Sequence, residues 1–563
     1  MPARQQPRRS ADGRGDARVG SKTVRSGLLI AVLALVLGPF VARVSWFRFQ
    51  LTSPVSHFPA HWVRPSTEVG GAAPVCATLS SGLEGQENQI SFCEDAEMLH
   101  GPGLDGWALL SCDPGRDQWN TVMGPLQKPE GRGALWMYAY SDAVSSTSKE
   151  RQSGTKLMNA VKPLRLSLEG LPSPYDFHPL GVAVHPMSSD GNGAKVARLF
   201  VINHQRARST IDVFDLLSSQ TSREGEKGED QSGRWRAVFV RSLVDPIATH
   251  TPNSLVALSA NEVLVTQDHL FALRPPSSLD DLTATWRLAV PPLSLLAPAI
   301  ARYCAQLARL GAPLLARIET LLGLPLGWVT YVKFDDDDVN GRADSHHQTK
   351  IIARWIAFAN GLALSPNGKF LAVASTMMPG IKLYEWNEAK REVVRLAHRI
   401  NTPNLSDNIA FTKGASGIPG GNDLFGNAAR LIGGGGPSGL ELMRFARDPH
   451  NYTKRAHSWI ISISPTPPKD DSNDDDDSYV PANARMIRQN EGFHVSTVYQ
   501  GHGPVRREQV AASLDSETED GQDWIGIASA TSAAYDGSIG GGTLLVPGLY
   551  SKPGVMVCAN VGL

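Results

Sequence analysis

The sequence predicts an all-β domain of the propeller type, with a helical insertion, preceded by an N-terminal transmembrane helix. Two observations carry the domain. From Cys76 onward the chain consists of short apolar runs separated by Gly, Asn, Asp and Pro clusters, the texture of many short antiparallel strands. Among these runs lie five pieces that bear acidic, amide or imidazole groups: CEDAE at Cys93–Glu97, INHQ at Ile202–Gln205, PNS at Pro252–Ser254, FANG at Phe358–Gly361 and SDN at Ser406–Asn408. Groups so far apart in sequence can converge only if many strands point at one centre, as the inner ends of propeller blades do. A third observation, a basic lead-in followed by an apolar run, carries the N-terminal helix.

Taken in order, residues 1–26 read as a disordered cytosolic tail. Arg4, Arg8, Arg9, Arg14, Arg18, Lys22 and Arg25 are opposed there only by Asp12 and Asp16. The apolar run Gly27–Ala42 follows, and then Val44, Trp46, Phe47 and Phe49. A spanning helix needs roughly 20 residues, and the aromatic flank supplies the remainder at the depth of the interface. Residues 27–49 are therefore expected to be a transmembrane anchor. Basic residues before it place the N-terminus in the cytosol and the rest in the lumen or outside the cell. No clear small-x-small cleavage site follows, so an uncleaved signal anchor is preferred to a signal peptide. The expected location is the membrane of the secretory pathway. Residues 50–75 read as a stalk.

The 563 residues suffice for one large β domain with insertions. The net charge of −1 gives no electrostatic reason to expect a nucleic-acid partner. Five cysteines, Cys76, Cys93, Cys112, Cys304 and Cys558, contain no CxxC pair, which argues against zinc and thioredoxin-type chemistry. Asn404-Leu-Ser and Asn451-Tyr-Thr are glycosylation sequons, and Asn404 lies too close to the candidate site to be a good acceptor.

Within 76–563, Leu199–Asn203, Thr210–Phe214, Val263–Thr266, Phe370–Ala374, Ile381–Tyr384, Trp459–Ile463 and Val495–Tyr499 read as strands. Pro366-Asn367-Gly368 is a turn, because Pro presets φ and Asn-Gly tolerates positive φ. Ser218–Gly233 reads as a polar surface loop. Acidic runs near 335–345 and 466–485 lack the alternating ligand spacing of an EF-hand and read as solvated loops. The inserted helices are expected near 297–326. Ile300, Tyr303, Cys304, Leu307 and Leu310 follow helical spacing, Pro313 interrupts, and Leu314, Leu315, Ile318, Leu321 and Leu322 resume it. Such a pair could lie on a membrane surface or pack over the domain and shape a pocket.

Carboxylate and amide oxygens are hard ligands, suited to Ca²⁺. Singly the motifs are weak, since Asn and Asp are ordinary turn residues. Together CEDAEML, LFVINHQRARSTIDVF, PNSLVAL followed by TQDHLF, FANGLALSPNGKF and SDNIAF, in that order, resemble the paraoxonase/arylesterase (lactonase) family. The resemblance spans Cys76 to Cys558 apart from the long insertions. It implies a six-bladed β-propeller, a Cys76–Cys558 disulfide and two central Ca²⁺ ions. The catalytic ion would be held by Glu94, Asn253, Asn360, Asp407 and Asn408. The structural ion would be held by Asp95, the Val182 carbonyl and the residue at Ser254. The implied chemistry is hydrolysis of lactones or aryl esters, with His204 as a catalytic histidine and Glu94 as an alternative base.

Three departures stand out. Ser254 replaces a family Asp, which removes a charge from the structural ion's site. Leu180 stands where the family has its first catalytic histidine, and His178, two residues earlier, could replace it if the strand's period holds. The family's later His-Pro segment has no counterpart in Asn427–Gly439. Asp268 and His269 match the family pattern, with Asp268 a candidate to orient His204. The expected partners are a small lactone or ester and a membrane, reached through the N-terminal helix and the 297–326 helices. Two alternatives stand beside this reading: a gluconolactonase- or strictosidine-synthase-like propeller enzyme with one divalent ion, and a calcium-stabilised propeller that binds lipid or protein without catalysis.

Overall fold

A computed structural model describes residues 58–66, 73–83, 85, 88–130, 132–145, 161–187, 195–218, 234–275, 278–290, 297–335, 347–413, 423–451, 453–465, 490–506 and 524–563. The tail, the anchor at 27–49, the polar loop after Ser218 and nearly all of both acidic loops lie outside these residues. Among the described residues no helix is long and apolar enough to cross a membrane.

Among the described residues the strands form six sheets arranged as the blades of a propeller, with a small two-stranded ribbon, Val505–Arg506 and Trp524–Ile525, beside them. Blade 1 is Cys93–Met98, Trp107–Cys112, Ala134–Ala139 and Leu164–Arg165. Blade 2 is Pro179–Pro186, Lys195–His204, Ser209–Ser218 and Trp235–Leu243, with Ser167–Glu169 added in parallel at its outer edge. Blade 3 is Pro252–Ser259, Glu262–Gln267, Gly327–Phe334 and His347–Ile356. Blade 4 is Ala359–Leu364, Phe370–Ser375, Gly380–Asn387 and Glu392–Asn401. Blade 5 is Leu405–Phe411, Leu431–Gly436, Ser458–Pro465 and Phe493–Gly501. Blade 6 is Ala534–Asp536, Thr543–Pro547 and Val555–Ala559, completed by Val75–Thr78 from the other end of the domain. The first strand of each blade touches the first strands of its two neighbours, closing an inner ring.

Closure is covalent as well as hydrogen-bonded. Cys76 and Cys558 face each other across the strand pair of blade 6 and are disulfide-bonded over 482 residues. The segment read as a stalk is partly folded onto the domain: His61–Val63 pairs with Phe493–Gly501 as a fifth strand of blade 5. The physical reason is that the outer edge strand of a blade presents unpaired backbone groups, and an extended neighbour satisfies them.

The apolar side chains alternate between the two faces of each blade, so every pair of adjacent blades shares a core. In blade 1, Ala108, Leu110, Trp136 and Tyr138 pack towards blade 6, while Leu109, Leu135 and Met137 pack towards blade 2. The remaining interfaces follow the same rule.

The helical insertion joins the second and third strands of blade 3. It comprises α1 (Leu279–Ala289), α2 (Pro298–Leu310) and α3 (Ala312–Leu322). Helix α1 was not read from the sequence, although Ser278 caps it through Asp281 N–H and Leu282, Trp286 and Ala289 mark its buried face. Gly311 separates α2 from α3, and Pro313 falls in the first turn of α3, where its missing N–H costs nothing. The buried residues are Ala301, Ala305 and Ala308 in α2 and Ala312, Ala316 and Glu319 in α3. Ile300, Tyr303, Leu307, Leu310 and Leu314 point outward, Leu310 being 80% exposed. Small side chains allow the helices to sit closely against Trp286 and Trp328; the larger row would hold them away.

Candidate metal centre and active-site cleft

Each of the first five blades carries one extra residue in its first strand. The pairing slips between Cys93 and Asp95, Pro179 and Val182, Pro252 and Leu255, Ala359 and Leu362, and Ser406 and Ile409. In blade 6 the first strand pairs without a slip. Four of these bulges hold Glu94, Asn253 with Ser254, Asn360, and Asp407 with Asn408. A bulge leaves a residue unpaired and re-aims its side chain, so the ligand motifs are the places where strands turn their polar groups towards the centre. Glycine makes the approach possible. A Cβ on Gly361 would lie 2.4 Å from the Asp407 carbonyl, and one on Gly181 would lie 2.5 Å from the Asn253 carbonyl.

The geometry brings the predicted ligands together. Asn408 donates its amide to Glu94 Oε1 at 2.7 Å, linking blades 5 and 1. Asn408 N–H donates to the Thr531 carbonyl, and the Thr531 hydroxyl donates to the Glu94 carbonyl at 2.7 Å. Asn360 donates to the Thr376 hydroxyl at 3.1 Å, and Asn253 donates to Asp268 at 3.3 Å. Every amide N–H₂ thus points at a protein acceptor, which directs the amide oxygen the other way. Those oxygens, Asn253 Oδ1, Asn360 Oδ1 and Asn408 Oδ1, and also Glu94 Oε2, are buried without a hydrogen-bond partner. Four unpartnered buried acceptors in one ring of strands would be costly by themselves. They form a donor set of hard oxygens that fits a divalent cation of the Ca²⁺ kind.

The carboxylates agree. Burial, reinforced by Asp95 and Asp407, pushes the Glu94 carboxyl well above its ordinary range. Burial pushes Asp407 up to about 8, against a hydrogen bond from Asn360, with further repulsion from Asp95 and Asp268. Asp95 is raised by burial although it accepts from Val182 N–H at 3.1 Å and Ala96 N–H at 2.9 Å. Asp95 and Val182 are thereby adjacent, and the Gly181 position lies against Ser254. Among the described residues no group of three or more His, Cys, Asp and Glu is placed to hold a metal ion; a cation here would depend on asparagine oxygens as much as on carboxylates.

His204 ends the second strand of blade 2. It is buried, its Nδ1 lies 2.6 Å from Thr121 Oγ1 and 3.1 Å from Ser209 Oγ, and its Nε2 is buried with no partner. Burial holds the imidazole well below its ordinary pKa, helped by the charges of Arg274, Arg116 and His178. The ring is therefore neutral at neutral pH. The loop 113–130 covers it, with Trp119 donating to the His204 carbonyl at 2.8 Å.

Two expected roles are not what the structure shows. Asp268 does not orient His204; it bonds His269 Nδ1 at 2.9 Å and accepts from Asn253. His178 does not share a face with Leu180. The bulge between Pro179 and Val182 breaks the period of two, so Leu180 packs into the apolar core between blades 2 and 3. His178 instead bonds Asp113 at 2.9 Å and the Pro129 carbonyl at 3.2 Å. Both ring nitrogens are engaged, and His178 acts as a clamp between strand and loop.

Several neighbours went unread in the sequence. Cys93, which precedes Glu94, is disulfide-bonded to Cys112 on the adjacent strand; two unassigned cysteines flanking two short apolar runs were its signal. Buried Arg116 donates to the Phe92 carbonyl at 3.2 Å and the Pro179 carbonyl at 2.7 Å, fixing the starts of two first strands. Nothing local in the sequence announces that role. Asn404 is buried and donates to the Trp459 carbonyl at 2.9 Å, which closes it to glycosylation.

Beside this centre is a small cavity of about 10 Å³, room for about one water, lined among others by Thr121, His204, Thr251, His269 and Arg274. Helix α3 forms its lid support. The Thr320 hydroxyl meets His269 Nε2 at 2.6 Å, and Glu319 accepts from Leu270 N–H at 2.9 Å and Phe271 N–H at 2.9 Å. The 297–326 helices therefore pack over the domain and brace His269 and the 270–271 backbone, while their larger apolar row faces away.

No family model matches the chain, and no curated protein does either. Solved propellers are similar at low identity. A luciferin-regenerating enzyme shares 11% identity, with 87% of this chain and 98% of that one covered and a TM-score of 0.37. A gluconolactonase from Xanthomonas campestris shares 12%, with 83% and 96% covered and a TM-score of 0.28. The PQQ-bound aldose sugar dehydrogenase from Streptomyces coelicolor shares 10%, with 87% and 98% covered and a TM-score of 0.34. Likeness this distant says nothing of the chemistry of this chain.

Proposed function

We propose that this protein is a calcium-dependent hydrolase of lactones or aryl esters. The observation that carries the reading is the ring of buried, unpartnered oxygens of Glu94, Asn253, Asn360 and Asn408 on four strand bulges, joined by Asp407. A divalent cation held there would polarise a substrate carbonyl and stabilise charge on its oxygen. The chain's own contribution is positioning and proton handling. Thr121 and Ser209 fix the His204 ring, and its unpartnered Nε2 is placed to take a proton from water when Nδ1 carries the other. Glu94 is the alternative base. The loop 113–130 shields the histidine from bulk water. Asp95, the Val182 carbonyl and Ser254 are assigned a second, structural ion, weakened by the neutral Ser254. Two disulfides suit an oxidising compartment, in keeping with a lumenal or extracellular domain behind the 27–49 anchor.

Leu180 favours a second reading. Its burial in an apolar core leaves His204 without the partner histidine that the resembled family uses. In that reading the ions stabilise a propeller that binds lipid, and the outward row of α2 and α3 is its contact face. Hydrolysis of γ- and δ-lactones and phenyl acetate, assayed with Ca²⁺ and then with a chelator, separates the two. The expected result is turnover that disappears on chelation and returns with Ca²⁺. No turnover in either condition, with a Ca²⁺-dependent melting temperature, would establish the binding protein. Turnover restored equally by other divalent ions would favour the gluconolactonase-like alternative.

A further inference from the structure

Leu180 denies His204 a neighbouring histidine on its own blade, yet a second imidazole lines the small cavity beside it. We propose that His204 and His250 together hold one water, and that His250 thereby positions the water that His204 deprotonates. The role in hydrolysis rests on the reading above; the water site does not.

His250 lies two residues before the first strand of blade 3, and nothing in its sequence surroundings marks it. Both histidines line the cavity, and at 7% and 5% exposed His250 and His204 cannot rely on bulk water for a partner. His250 Nε2 lies 2.9 Å from the Leu270 carbonyl. A carbonyl only accepts, so Nε2 carries the hydrogen and Nδ1 of the neutral ring is left with a lone pair. Trp328 stacks on this ring at 5.7 Å and fixes its plane. Burial, helped by the charge of His269, holds His250 below its ordinary pKa against the Leu270 carbonyl and Asp268. Among the described residues His250 Nδ1 has no partner, and neither has His204 Nε2. Two buried acceptors on the wall of a cavity that takes one water are two acceptors for that water. Its two hydrogens go one to each ring, and its lone pairs point away from both.

Asp268 lines the cavity and also accepts from Asn253, so the water sits beside the metal centre and outside the space a substrate would fill. With the His204 Nδ1 hydrogen directed at Thr121 and Ser209, Nε2 takes one proton from the water as its oxygen bonds the carbonyl carbon. His204 returns that proton to the departing oxygen. The other hydrogen stays on His250 Nδ1 throughout, which holds the attacking oxygen in one orientation.

Two substitutions separate this role from a structural one. Gln places an amide N–H where Nε2–H stands, keeping the donor to Leu270 without the Nδ1 acceptor. Asn reaches only as far as Nδ1, keeping an acceptor there and losing the Leu270 bond. Each is assayed in the full chain on phenyl acetate and γ-butyrolactone with Ca²⁺, beside its melting temperature. His250→Gln is expected to lower kcat by about tenfold or more, the kinetic worth of one hydrogen bond, with KM and melting temperature near those of the wild type. His250→Asn should be the faster variant although the less stable. A structural role gives the reverse order, and a wild-type kcat in His250→Gln overturns the proposal. If the wild type hydrolyses neither substrate, the hydrolase reading fails by itself and crystal structures of the wild type and His250→Gln decide the water site. A water within about 3.2 Å of both nitrogens, lost in His250→Gln, supports it; a wild-type structure without that water overturns it.

Discussion

The inner ring of strands and the helical insertion bury their side chains in opposite senses. The ring holds Glu94, Asn253, Asn360 and Asn408 inside, each at most 4% exposed, where globular proteins usually keep apolar groups. The insertion turns Ile300, Tyr303, Leu307 and Leu310 out to solvent and buries alanines. Both arrangements cost free energy in isolation. They differ in what fixes direction. In a strand, backbone pairing sets which way each residue points and a bulge resets it at one position. In a helix, the row that packs closest wins, and that depends on the shape of the surface beneath.

The largest expected effect is in the ring. Asn360→Ala should lower hydrolysis by a hundredfold or more and abolish any Ca²⁺-induced rise in melting temperature. The metal-free protein should lose only about 1–2 kcal/mol, the worth of the amide's hydrogen bonds to Thr376 and Asp407, since its oxygen has no partner to lose. Gly361→Ala, one residue along, should behave differently. Its Cβ would meet the Asp407 carbonyl and the Asn408 Cα at 2.4 and 2.6 Å, so stability itself should fall by about 3 kcal/mol or more. Chemical denaturation of both variants, with and without Ca²⁺, checks the contrast. An Asn360→Ala protein that still hydrolyses esters would remove Asn360 from the centre.

The same contrast explains what could be read in advance. The ring was legible because its motifs repeat beside strand-like runs, and only a closed array of strands lets such scattered groups meet. The Cys76–Cys558 closure and the asparagine set came through the family resemblance, and the structure brings both together. His178 was misjudged because the period of two was carried across a bulge that the sequence does not mark. The Cys93–Cys112 bond was passed over although two cysteines flank the paired runs, because which cysteines meet is set by the strand register. The helices were legible from their apolar row but the face that packs was not, because the alanine row at 301, 305 and 308 has the same periodicity as the leucines. Glu319 and Thr320, which bond the 269–271 segment, belong to that unread inner face.

A smaller effect is expected where the two regions meet. Glu319 reaches from α3 to the backbone of Leu270 and Phe271, and burial raises its carboxyl to about 7. An acid with a folded pKa above its unfolded value holds an extra proton in the folded state between the two. Stability from this group is therefore complete at low pH and is lost as pH rises from about 4.5 to about 7. The loss should amount to roughly 3 kcal/mol. Glu319→Gln should flatten that part of the stability profile, as measured by urea denaturation across pH 4 to 8. An unchanged slope would show that the helix contributes nothing titratable to the cavity's surroundings.

The smallest effects test the inverted face directly. Ala305 is fully buried against the neighbouring tryptophans, whereas Leu310 is the most exposed of the large apolar residues. Ala305→Leu should therefore destabilise the domain by about 1–3 kcal/mol, through overpacking. Leu310→Lys should change stability by less than about 0.5 kcal/mol while adding a charge to the outward row. If that row meets lipid, Leu310→Lys should weaken sedimentation of the protein with neutral phosphatidylcholine vesicles and leave the melting temperature in place. The reverse pattern, with a tolerated Ala305→Leu and a damaging Leu310→Lys, would mean that the leucines face the domain, and the comparison between ring and insertion would collapse.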